Sequence, residues 1–146
     1  MRWIPILLLF AITSGTVAAP IPKEVKVGSD AQRILGKWQT EFLSSSGTDK
    51  QLNTSSRFRF EVDGKCTILH GSDNERDSDS EFTLDMSSNP RRMKWLQGTG
   101  KQVWQCLYEL DGDSLKIAFI NAGTPVPDLI DPAQNATIYY LKRIKE

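Results

Sequence analysis

Tyr108-Glu109-Leu110-Asp111-Gly112-Asp113-Ser114-Leu115-Lys116-Ile117 is the stretch that decides the fold of this chain. Apolar and polar residues alternate into an Asp-Gly pair and alternate again on leaving it. That is the pattern of two strands, each with one buried face, joined by a tight turn. Asp-Gly suits such a turn because a two-residue hairpin loop needs positive φ. A two-residue turn at Asp111-Gly112 sets Leu110 opposite Asp113 and Tyr108 opposite Leu115. The same chemistry recurs in Phe60-Glu61-Val62-Asp63-Gly64. There a two-residue turn puts Cys66 on the face of Glu61, and a three-residue bulged turn puts it on the face of Phe60.

Outward from these hairpins the chain continues as short alternating runs punctuated by turn residues. The runs cover residues 38–43, 57–62, 66–70, 81–86, 92–96, 103–110, 115–120 and 136–143. In the second, Phe58, Phe60 and Val62 share one face. Helical periodicity is confined to Ala31-Gln32-Arg33-Ile34-Leu35, with Ser29-Asp30 as cap and Gly36 as terminator. The expected fold is therefore all-β: a single eight-stranded antiparallel up-and-down barrel over residues 30–146, with a short N-terminal helix. Closure removes the exposed sheet edges that an open sheet must protect.

The alternation turns Phe58, Phe60, Phe82, Leu84, Met93, Trp95, Trp104, Tyr108, Ile117 and Phe119 inward. An eight-stranded barrel is either just filled by side chains or holds one small ligand. This set accordingly lines an apolar cup, with Trp104 and Tyr108 as polar handles, or it fills the barrel. Residues 121–135 carry Gly123, Pro125, Pro127 and Pro132 around Leu129-Ile130. Such a segment serves as a lid over a mouth or as a plain crossing between strands.

The first residues read as an export signal. Met1-Arg2 gives a positive start, an apolar run follows from Trp3 to Ile12, and Thr16-Val17-Ala18-Ala19 offers small residues for cleavage after Ala18. The apolar run is short for a permanent membrane anchor. Residues 1–18 are thus expected to be a signal peptide and 19–29 a flexible, Pro-containing leader. The destination is secreted or periplasmic, with no membrane association after cleavage.

The whole chain has 18 basic and 18 acidic side chains. Loss of Arg2 with the signal leaves a net charge of −1, which favours neither nucleic acid nor an anionic surface as partner. Cys66 and Cys106 are the two cysteines, and an oxidising compartment permits a disulfide between them. The alternative is two buried thiols acting as small apolar residues.

Chemistry-bearing motifs are sparse. His70 is the single histidine, and it ends a strand beside Gly71-Ser72. One His and two scattered Cys supply no zinc constellation. Asp73-Asn74-Glu75-Arg76-Asp77-Ser78-Asp79-Ser80-Glu81 is rich in oxygen ligands but lacks the order of an EF-hand loop, and reads as a solvated acidic stretch. Gly98-Thr99-Gly100-Lys101 has no first glycine, no following Ser or Thr and no helix, so it reads as a hairpin loop rather than a phosphate site. Asn53-Thr54-Ser55 and Asn135-Ala136-Thr137 match the N-glycosylation sequon. No catalytic residue, metal site or cofactor is assigned.

Gly36-Lys37-Trp38 and Arg143, in the closing run Tyr139-Tyr140-Leu141-Lys142-Arg143, resemble the signature of lipocalins and related calycin barrels. The resemblance implies a Trp at the closed end of the barrel with the Arg packed across its face. The chain resembles, more closely, a lipocalin-like domain family of uncharacterised exported planctomycete proteins. The matching pieces are Leu35-Gly36-Lys37-Trp38, Phe82-Thr83-Leu84-Asp85, the Tyr108–Ile117 hairpin, Gly123-Thr124-Pro125-Val126-Pro127 and Tyr140-Leu141-Lys142-Arg143. Residues 44–55 match poorly. This resemblance implies a calycin-type barrel and no particular activity. The functional expectation is an exported binding protein holding a small apolar ligand in its barrel. The competing expectations are a filled-barrel interaction or structural module of the cell envelope, and an enzyme using carboxylates at the barrel mouth.

Overall fold

The computed structural model describes residues 29–71, 75–98 and 102–145. The expected signal peptide (residues 1–18), all of the expected leader but Ser29, residues 72–74 of the acidic stretch and Thr99-Gly100-Lys101 lie outside the described residues. The elements are α1 (Ser29–Arg33), β1 (Gly36–Ser45), β2 (Gln51–Leu52), β3 (Ser56–Phe60), β4 (Lys65–His70), β5 (Glu75–Asp85), β6 (Arg91–Gln97), β7 (Gln102–Asp111), β8 (Ser114–Ile120) and β9 (Ala136–Arg143). All sheet pairings are antiparallel. Strands β3 to β9 pair in sequence order, and β1 closes the barrel by pairing with both β3 and β9. Eight strands make the barrel. The two-residue β2, which the sequence pattern did not announce, pairs with Phe42 and Leu43 of β1 as a ninth.

The two Asp-Gly segments turn differently. In the first, Phe60 pairs with Cys66, and Glu61 O accepts from Gly64 N at 3.1 Å. This is the three-residue bulged turn, with Gly64 at φ +80° as the bulge residue. Cys66 consequently falls on the inner face with Phe60. Strand β3 stops at Phe60, so Val62 is a turn residue, 89% exposed, and not the third member of an inward face. In the second hairpin, Asp111 pairs with Ser114, Leu110 with Leu115 and Tyr108 with Ile117. The turn residues are Gly112-Asp113, with positive φ at Gly112 alone. The expected pairing of Leu110 with Asp113 is therefore corrected by two positions. The two-residue period keeps every side chain on its expected face despite the shift.

The closed end is built around α1. Trp38 is fully buried, and its Nε1 donates to Ile34 O at 2.8 Å. The Arg143 guanidinium lies 4.2 Å from the centre of the Trp38 ring. Its Nη1 donates to Leu35 O at 2.8 Å, and its Nη2 donates to Arg33 O. One side chain thus stacks on the indole and satisfies two carbonyls at the end of α1, which a planar five-donor group can do. Asp30 does not act as a cap. Its carboxylate is 2% exposed, accepts from Tyr108 Oη at 3.2 Å and pairs with the Arg91 guanidinium.

Two apolar clusters hold the fold. The inner one runs from Ile34 and Trp38 through Phe58, Phe60, Phe82, Met93, Trp95, Tyr108 and Ile117. The second lies on the outer face of β7, β8 and β9: Leu107, Ala118, Ile120, Ala136 and Ile138. These three strands bury both faces, contrary to the single buried face that alternation implied. The cover is the segment between β8 and β9, whose Val126 and Ile130 pack onto this cluster. That segment is a crossing over the barrel's outer wall rather than a lid over its mouth.

Candidate functional site

At the end of the barrel away from α1, the strands enclose a cavity of about 320 Å³. Phe58, Ile68, His70, Ser78, Trp95, Gln97, Trp104, Phe119, Asn121, Thr137 and Tyr139 line it. Its position follows from alternation along each strand. Phe58 stands one inward step from Phe60, Ile68 and His70 continue the face of Cys66, and Tyr139 and Thr137 continue the face of Leu141.

Four aromatic rings meet edge to face in a closed cycle. Phe58 lies 6.1 Å from Trp95, Trp95 lies 5.3 Å from Phe119, Phe119 lies 5.6 Å from Tyr139, and Tyr139 lies 5.3 Å from Phe58. Each angle between ring planes falls in the T-shaped range, which the quadrupoles of the rings favour. The cycle makes an aromatic floor. Trp104 extends it up the wall, 6.4 Å from Phe119. Burial pushes the Tyr139 hydroxyl above its ordinary pKa.

Around and above the floor the lining becomes polar: Ser78, Gln97, Asn121, Thr137 and His70. His70 Nδ1 lies 3.0 Å from Ser56 Oγ. Ser56 is buried and is not part of the cavity wall. Asn121 opens the outer crossing, and its side-chain amide donates to Asn135 Oδ1. The Trp104 Nε1–H is buried without a hydrogen-bond partner.

Of the ten residues that the sequence turned inward, Phe58, Trp95, Trp104 and Phe119 line the cavity. Phe60, Phe82, Met93, Tyr108 and Ile117 are buried, and Leu84 half-buried, in the inner cluster. The barrel is therefore filled in its closed half and hollow in its open half. Both sequence expectations, cup and packed core, describe part of one interior. Ile68, His70, Ser78, Gln97, Asn121, Thr137 and Tyr139 were not picked out as lining. Tyr139 and Thr137 were legible by counting back from Arg143 in steps of two. Gln97 and Asn121 sit at strand ends, where no pattern marks them.

Cys66 and Cys106 are free and buried. They lie on β4 and β7 with β5 and β6 between them, so the permitted disulfide does not form. Desolvation raises both thiols well above their ordinary pKa. They behave as small apolar core residues. Among the described residues, no three His, Cys, Asp or Glu side chains gather as a metal site.

Comparison with protein-family models gave no match. Comparison with curated proteins likewise gave none.

Proposed function

We propose that this chain is an exported binding protein of the lipocalin-like kind, freed of residues 1–18 on export, and that it holds a small apolar ligand in the open half of its barrel. The family resemblance through Gly36, Trp38, Arg143 and the Tyr108–Ile117 hairpin supports this reading. The observation that carries it is the cavity of about 320 Å³ floored by four aromatic rings. Small-molecule sites begin at about 300 Å³ and are mostly apolar with a few placed polar groups. Binding is non-covalent: the site offers packing surface and neutral hydrogen-bonding groups.

The test is titration with the uncharged fluorescent probe N-phenyl-1-naphthylamine. One saturable site is expected, with the probe's emission rising as it enters the floor and Trp95 or Trp104 emission falling. An Ile68→Trp variant, checked for folding by circular dichroism, places a large ring in the cup and should abolish the signal. Equal binding by parent and variant, or no saturable binding by the parent, would overturn the carrier reading in favour of an interaction module.

A further inference from the structure

The cavity lining also restricts the ligand's charge. Among the described residues that line it there is no Asp, Glu, Lys or Arg. The upper tier consists of two carboxamides, Gln97 and Asn121, two aliphatic hydroxyls, Ser78 and Thr137, and the His70 imidazole, whose Nδ1 lies 3.0 Å from Ser56 Oγ. The carboxamides and hydroxyls both donate and accept hydrogen bonds and carry no charge, and a neutral imidazole likewise donates from one nitrogen and accepts at the other. A charged head brought in from water loses hydration that such groups replace only in part, whereas a hydroxyl or amide head exchanges one set of neutral hydrogen bonds for another. The wall adds one unmet donor, the buried Trp104 Nε1–H.

Resting on the carrier reading above, we infer that the cup takes an uncharged amphiphile: a flat ring body against the aromatic floor and a neutral hydroxyl, carbonyl or amide head among Gln97, Asn121, Ser78 and Thr137. Fatty acids and organic amines are disfavoured for want of an opposite charge.

A matched series tests this by calorimetry at about pH 8.5, above the ordinary imidazole range: 2-naphthylethanol, 2-naphthylacetamide, 2-naphthylacetate and 2-naphthylethylammonium. The ring body is constant and the head alone changes. The alcohol and the amide should bind at least tenfold more tightly than either ion. Gln97 is exposed at the end of β6, so Gln97→Lys leaves the core untouched. It should raise the affinity for the acetate several-fold relative to that for the alcohol. An ion binding as tightly as the alcohol would overturn the neutral-ligand inference and leave the carrier reading standing. Gln97→Lys with no effect on the acetate would overturn the placement of the head. No binding by any of the four, together with no binding of N-phenyl-1-naphthylamine, would overturn both.

Discussion

Arg143 and Trp38 show how much one contact can carry. The guanidinium covers the indole at 4.2 Å while it bonds to carbonyls of Leu35 and Arg33. Gly36 makes room for it: its φ is +107°, and a Cβ there would stand 3.4 Å from Arg143 Nη1. Trp38→Ala should cost about 3–5 kcal/mol, the usual loss for a buried aromatic. Arg143→Lys keeps the charge and loses the fork, so it should also lower the melting temperature. Urea melts in which Trp38→Ala matches the parent would sink this account of the closed end. The cysteines make a second prediction at this scale. Their folded pKa values lie above the unfolded value, so the native state holds those protons longer. Their contribution to stability is fully present below the unfolded thiol pKa of about 8.5 and declines as pH rises beyond it. A Cys66→Ala, Cys106→Ala double variant should show a flatter decline in melting temperature between pH 8 and 10. A native thiol titration should find neither cysteine reactive until the chain unfolds.

Among the elements, the hairpin turns set the register on which every inward face depends. Gly64 and Gly112 both have positive φ, but their surroundings differ. A Cβ at Gly64 would meet Phe82 O at 3.3 Å, whereas at Gly112 it would meet nothing within 4 Å. Gly112→Ala should therefore cost about 1–2 kcal/mol, the strain of a left-handed residue. Gly64→Ala should cost more, because β5 must also give way. Equal losses in paired denaturation curves would remove the steric part of this argument. The outer crossing is the other element with a measurable role. Ile138 is fully buried under Val126 and Ile130 on the barrel's outside. Ile138→Ala should cost about 2–5 kcal/mol without altering probe binding in the cup.

For the molecule as a whole, one barrel is divided into a filled half and a hollow half along its axis. The closed half is packed with Trp38, Phe60, Phe82, Met93 and Tyr108 and anchors α1 through Asp30, Arg91 and Arg143. The open half is left hollow over the aromatic cycle. Stability and the proposed binding should therefore be separable. Phe119→Ala should enlarge the cup and change probe affinity, with a smaller loss of stability than Trp38→Ala, because Phe119 is half-buried and Trp38 is fully buried. At the same scale, the proposed export predicts a chain that begins at Ala19. Intact-mass measurement of the exported protein checks this directly, and retention of residues 1–18 would overturn the cleavage site.

The amino-acid sequence by itself determined the class and order of the strands, the inward face of most of them, and the Trp38–Arg143 closure. The first two follow from local rules, two-residue alternation and turn chemistry, and the third is what the resemblance to calycin barrels implied. It left open whether Cys66 faces in or out, because one residue in a turn reverses a face. Tertiary structure decided that, through the bulge at Gly64. It also decided that Cys66 and Cys106 stay apart, that residues 121–135 cover an outer wall, and that the interior is filled at one end only. Each of these depends on which strands become neighbours and how far their side chains reach across the barrel. Alternation along a single strand carries neither quantity.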